Sequence, residues 1–194
     1  MKRIALITLA LVASVLLAAC GSSPAKSTTA ASGGSHNAAD VTFAQEMIPH
    51  HGQAIEMAQM AAGRAAAPEV KALAARIQAA QDPEIEAMSG WLRSWGEDVP
   101  STAMSHGDHS SMSMPGMMTG DEMNDLMAKA GAAFDRAFLT MMTDHHQGAI
   151  DMARSEQDKG SYDPAKDLAG RIVKDQQAEI DQMAALLAKP QQAT

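Results

Sequence analysis

The chain has 194 residues, of which 39 are alanine and 16 methionine, with only six Phe, Trp and Tyr together. A chain of this length holds one domain with a sizeable core, and so few aromatics argue against a β-sandwich or barrel, whereas alanine and methionine favour helices. One cysteine excludes a disulfide framework and a Cys₄ zinc or iron–sulfur site within the chain, and a formal charge of −8 makes nucleic acid an unsuitable partner.

Lys2 and Arg3 precede an apolar run from Ile4 to Leu17, too short to span a bilayer and the size of a signal h-region. The run ends in Leu17-Ala18-Ala19-Cys20-Gly21, which resembles a bacterial lipobox. Residues 1–19 are expected to be a lipoprotein signal peptide and Cys20 the lipidated first residue of the mature chain. Residues 20–39, rich in Ser, Ala, Gly and Thr, suit a flexible tether. Removing residues 1–19 takes away Lys2 and Arg3, leaving 13 basic and 23 acidic side chains, or −10. The expected location is the extracytoplasmic face of the cell membrane, with the lipid on Cys20 as anchor.

Beyond the tether, one unit is written twice. Phe43 to Ala58 (FAQEMIPHHGQAIEMA) aligns with Phe138 to Ala153 (FLTMMTDHHQGAIDMA) at an offset of 95, with 8 of 16 positions identical. Leu73 to Met88 aligns with Leu168 to Met183 at the same offset, again with 8 of 16 identities. A constant offset means a duplicated helical hairpin. The fold class expected is all-α, a four-helix bundle with repeats at about 40–97 and 121–188 joined by residues 98–120.

In the first block, Phe43, Met47, His50, Ala54, Met57, Ala58 and Ala61 recur at spacings of 3 and 4, one face of a helix. In the second, Leu73, Ile77, Ala80, Glu84, Met88, Trp91 and Trp95 do the same. Asp40 or Thr42 is expected to cap the first helix, Gly63 to end it and Pro68 to open the second. Pro49 and Pro83 lie inside the patterns and favour kinks.

On the helical wheel His50 is central to the buried face, with Met47 and Met57 before and after it, and His51 falls on the flank. His145, Met142, Met152 and His146 repeat that arrangement. Glu84 and Glu179 fall mid-face on the second and fourth helices, four residues before Met88 and Met183. A buried carboxylate needs an imidazole N–H, an arginine or a metal, and Arg76 and Arg171 lie in the same helices. A single buried methionine is explained by core filling. Met, His-His and Met recurring in the same order in both repeats point further, because thioethers with imidazoles select copper, above all Cu(I).

These residues carry a resemblance to the DUF305 family of bacterial secreted proteins. The matching positions are Phe43, Met47, Pro49-His50-His51, Ala54-Ile55 and Met57-Ala58, then Ile77, Gln81, Glu84-Ile85 and Met88. The second copy matches at Met142, His145-His146, Ala149-Ile150, Met152, Gln176, Glu179-Ile180 and Met183. The resemblance spans nearly all of 40–188 and implies a ferritin-like four-helix bundle. It also implies copper binding and copper tolerance outside the cytoplasm.

The joining segment is a second place for metal. Residues 104–118 hold Met104, His106, His109, Met112, Met114, Met117 and Met118 among Gly, Ser and Pro, a pattern no packed amphipathic helix explains. Such a tract either wraps a soft cation or is a low-complexity linker.

Three functions compete. The first is a lipid-anchored copper-binding protein that buffers, sequesters or passes on copper, possessing no catalysis, with an unidentified copper-accepting protein as partner. The second is a structural or interaction bundle whose inner His and Glu only hydrogen-bond. The third is a ferritin-like di-metal oxidase, disfavoured because neither His-bearing helix has Glu-x-x-His: Glu46 stands four residues before His50 and its repeat partner is Met141.

Overall fold

The computed structural model describes residues 35–102 and 114–189. It contains α1 (Ala38–Arg64), α2 (Pro68–Trp95), α3 (Gly120–Ala128), α4 (Gly131–Lys159) and α5 (Asp163–Leu187). Among the described residues there is no strand, and Ala65 meets Gly131 in a single isolated bridge. The four long helices are those expected from the duplication. The short α3 was not expected; it falls just past the joining segment, with Thr119 and Glu122 closing a capping box at its start.

The helix ends correct some sequence expectations. Asn37, not Asp40 or Thr42, caps α1: its side chain accepts from the backbone of Ala39 and Asp40. Asp40 sits three residues on and returns the bond to the Asn37 N–H at 2.6 Å, completing the box. Gly63 does not end α1, which runs on to Arg64. Pro68 does open α2 at the position where a missing N–H costs nothing. The helix closes on Gly96, whose φ of +78° is the left-handed conformation that glycine adopts without strain. Pro49 and Pro83 lie within α1 and α2, and neither ends its helix.

Each hairpin packs on itself, α1 on α2 and α4 on α5, and the two hairpins meet mainly through α1 and α4. These inner helices are antiparallel. Asp40 at the start of α1 reaches the turn after α4, and Ala65 just past α1 meets Gly131 at the start of α4. Midway, the His50 ring lies against its own repeat partner His145, with centroids 3.8 Å apart. A residue that touches its own repeat partner lies on the axis relating the copies, so a pseudo-dyad passes between these imidazoles. The core forms two clusters. One contains Ala54, Met57, Leu73, Ile77, Phe134, Phe138, Met142 and Met183; the other contains Phe43, Met47, Met88, Leu92, Ala149, Met152, Leu168 and Ile172. Ala80, expected inside, is exposed, and its neighbour Gln81 is buried instead.

A reciprocal pair of aspartates joins the hairpins. Buried Asp40 accepts from the backbone N–H groups of Ser161 and Tyr162, in the turn between α4 and α5. Buried Asp135, 95 residues later, accepts from Ala66 and Ala67, in the turn between α1 and α2, at 3.0 and 2.9 Å. Each carboxylate thus caps the other copy's turn, and such charge-assisted bonds are the strong ones.

Candidate metal centre

All four tandem histidines, His50, His51, His145 and His146, are completely buried. His51 and His146 are therefore not flank residues. The wheel placed them at the edge of one helix face, and in three dimensions the neighbouring helix covers that edge. From α2, Glu84 comes to 2.7 Å of the His51 Nε2; from α5, Glu179 comes to 2.6 Å of the His146 Nε2. The two glutamate side chains keep about a fifth of their surface exposed, at 19% and 20%. Of the partners sequence reasoning allowed, the carboxylates take imidazoles. Arg76 turns instead to the Ala72 carbonyl and to Gln182, and Arg171 is exposed.

With carboxylates on their outer nitrogens, His51 and His146 donate from Nε2, and in the neutral form of such a ring the lone pair is on Nδ1. The His50 Nε2 donates in the same way to the Pro115 carbonyl, 3.0 Å away. Buried Nδ1 atoms of His50, His51 and His146, and both nitrogens of His145, have no hydrogen-bond partner. The Gln81 side chain and the Gln176 Oε1, equivalent positions in the two copies, are buried without one too. Orphaned buried polar atoms are costly and rare, and the imidazole nitrogens among them belong to the two rings that touch, His50 and His145, and to the histidines next to them in sequence.

Burial above all, then repulsion from His51, pushes the His50 pKa down to about 3, with the Pro115 carbonyl opposing and His146 adding a lesser repulsion. Burial together with the charges of His50, His146 and His51 holds His145 well below the ordinary imidazole range. Both rings on the dyad are neutral at physiological pH, the state in which imidazole ligates metal. Among the described residues no three His, Cys, Asp or Glu side chains are poised together as a preformed metal site.

The sulfur lies above and below the imidazoles along the chain. Met47, Met88 and Met152 are buried in one core cluster, and Met57, Met142 and Met183 in the other. Each cluster holds one copy of every repeated methionine, as the pseudo-dyad requires. The Met183 thioether accepts from the Thr143 hydroxyl at 3.8 Å.

Of the joining segment, Met104, His106, His109 and Met112 lie outside the described residues, as does Cys20. Met114, Met117 and Met118 are half-buried, and Met118 packs on the first core cluster. Sequence reasoning missed how this segment meets the histidines. Gln53, buried beside His51, clamps the Met118 backbone with two bonds, 2.8 Å to its carbonyl and 2.7 Å from its N–H. Gly52 and Gly148 follow the two histidine pairs. A Cβ on Gly52 would collide with the Thr102 carbonyl oxygen, and one on Gly148 with that of Pro115. A glycine close behind each histidine pair was the available signal that another backbone approaches there. Also missed was Glu156, buried beside Asp40. Burial first, and then the Asp40 carboxylate, raises its pKa to about 8. Burial alone would raise Asp40 too, but hydrogen bonds from Glu156, Asn37, Tyr162 and Ser161 hold it below its ordinary value.

The duplicated all-helical hairpin belongs to a known class of domain. A profile of that class, described as "Domain of unknown function (DUF305)", matches residues 40–187, and the chain belongs to the DUF305 family. Solved structures agree. A secreted DUF305 protein from Streptomyces coelicolor is 36% identical with a TM-score of 0.69, the match covering 77% of this chain and 91% of that one. A DUF305 fragment from Deinococcus radiodurans is 30% identical, TM-score 0.69, covering 79% and 98%. CopM in a Cu(II)-bound form is 34% identical, TM-score 0.66, covering 76% and 95%; CopM is also known in Cu(I)-bound and Ag-bound forms. No match is found among curated protein sequences.

Proposed function

We propose that this is a copper-binding protein, tethered by a lipid on Cys20 to the extracytoplasmic face of the membrane, that sequesters copper or passes it to an accepting protein without catalysis. The observation that carries the reading is the set of buried imidazole nitrogens without partners, flanked in both repeats by buried thioethers. Three of the rings carry an oxygen acceptor on the opposite nitrogen, the arrangement that orients a ligating histidine and raises its basicity. Glu84 and Glu179 then act by orienting His51 and His146. The ligands are drawn from His50, His51, His145 and His146 with Met47, Met57, Met88, Met142, Met152 and Met183. Soft sulfur favours Cu(I), and the silver-bound CopM structures support a soft-cation preference in a relative. Met104, His106, His109, Met112, Met114, Met117 and Met118 form a second, lower-affinity capture site.

Metal analysis of the mature chain after exposure to Cu(I), Cu(II), Zn(II) and Fe(II) tests the reading. Retention of copper and not zinc or iron is expected. Met47→Leu and Met57→Leu should each cost under about 1.5 kcal/mol of apo stability, because volume is nearly conserved, while weakening Cu(I) retention. Unchanged retention would return these methionines to core packing. Membrane release of a Cys20→Ala variant tests the anchor; a processed variant that stays in the membrane fraction would refute it.

A further inference from the structure

Four fully buried imidazoles pose a problem of access, because an ion reaches them only past something that moves. Among the described residues, the non-helical segment hydrogen-bonded to one of these rings is the turn Met114–Met117. It has the form of a type II turn: the Met117 N–H bonds to the Met114 carbonyl at 3.2 Å, Pro115 is second, and Gly116 is third with φ +77°. The turn lies flat on α4, since a Cβ on Gly116 would come within 2.5 Å of the Asp144 carbonyl oxygen. It is pinned to α1 by His50 and, one residue past its end, by Gln53.

A groove of about 490 Å³ runs between the first turns of α1 and the last turns of α4. Glu46, Asp151 and Met152 line it, and so does Pro115, the residue whose carbonyl holds His50. Lys159 lines the groove as well, so Glu46 and Asp151 outnumber the one amine, and the Met152 thioether and the turn that holds His50 share the same groove. His145, whose ring lies tilted against that of His50, has no counterpart of this contact.

We propose that this groove is the port through which a soft cation reaches the buried imidazoles, and that the Met114–Met117 turn is its gate. The proposal rests on the copper-binding reading above and adds the route. Glu46 and Asp151 raise the local cation concentration. Met152 receives the ion as a soft donor. Swinging the turn outward breaks the bond from His50 Nε2 to Pro115 and opens the ring to the ion.

The test is the rate at which the mature chain loads Cu(I), followed by quenching with excess chelator at set times, beside an equilibrium titration. Gln53→Leu removes both bonds to Met118 and should speed loading and release by about fivefold or more, the factor that one lost hydrogen bond represents. Glu46→Gln combined with Asp151→Asn removes two carboxylates from the groove and, besides an exposed contact with Arg154 and one with Gln147, alters nothing else, and should slow loading about tenfold at low salt, with the difference vanishing at high salt. Equilibrium affinity should stay within about threefold in both, since neither removes a ligand. Wild-type loading rates in the charge variant overturn the port, whether or not Gln53→Leu folds, and a wild-type rate in folded Gln53→Leu overturns the gate. Lost equilibrium affinity in either would make those residues part of the binding site and overturn the proposal as well. A wild-type chain that holds no copper would instead refute the reading beneath it, and the port with it.

Discussion

His51 and His146 are almost interchangeable: both are fully buried, and each meets a glutamate from the outer helix of its own hairpin at 2.7 or 2.6 Å. His50 and His145 are also repeat partners, yet only His50 holds the Pro115 carbonyl. The same contrast recurs at the ends of the bundle. Asp40 and Asp135 cap equivalent turns, but Asp40 has Glu156 beside it, where the other copy has Ala61. What lies near the dyad is duplicated. What breaks the symmetry is the connection between hairpins and one added acid. The inner residues serve a task common to both copies, and the exceptions mark where the joining segment meets His50 and where Glu156 meets Asp40.

The harshest test of equivalence uses the core. Ile77 and Ile172 are repeat partners, 0% and 1% exposed, one in each cluster. Ile77→Asp and Ile172→Asp should each destabilise by about 4 kcal/mol or more, since each buries an unpaired charge. Denaturant melts of both variants check this, and a large disparity would mean that one hairpin carries the stability.

The aspartates sharpen the comparison at a smaller scale. Asp135→Ala orphans the Ala66 and Ala67 N–H groups and should cost about 2–3 kcal/mol, evenly between pH 6 and 9. Asp40→Ala should cost more at pH 6 than at pH 9, because at high pH it also relieves the ionised Glu156 of a neighbouring charge. Equal pH profiles for the two variants would deny the coupling between Asp40 and Glu156.

A subtler effect belongs to Glu156 alone. Its ordinary pKa of 4.5 is raised to about 8 in the fold. Between those values the unfolded chain has lost the proton and the folded chain keeps it, so this group lowers stability as pH rises from about 4.5 to 8. Glu156→Gln, neutral throughout, should remove that decline in a series of melts. A decline that persists would assign it to other groups.

Most of the fold was legible in the residues. The offset of 95 located the hairpins, and the 3–4 spacing of Phe43, Met47, His50, Ala54 and Met57 picked a face that is buried throughout. The second helix was read less well. Ala80 was placed inside because a wheel assigns a face without knowing which neighbour covers it, and the same blindness put His51 and His146 on the flank. The pairing of Glu84 with His51 crosses 33 residues, and periodicity carries no information about contacts at that range. The Pro115 carbonyl was invisible for another reason: a backbone oxygen has no letter in the sequence. Gly148 was its only trace. Asp135 could have been found by carrying the alignment past Phe138, since it stands 95 residues after Asp40.

The central claim is that copper sits among the imidazoles and thioethers around the dyad. A competition titration of Cu(I) between a chelator and the mature chain tests it most directly, comparing wild type with the His50→Ala, His145→Ala double variant, each confirmed folded by its melt. The account predicts that the double variant loses at least about tenfold in affinity at the tightest site, the loss expected for about 1.4 kcal/mol of ligation, while any weaker capture by the joining segment persists. A folded double variant with wild-type affinity would contradict it and leave the histidines as elements of the core alone.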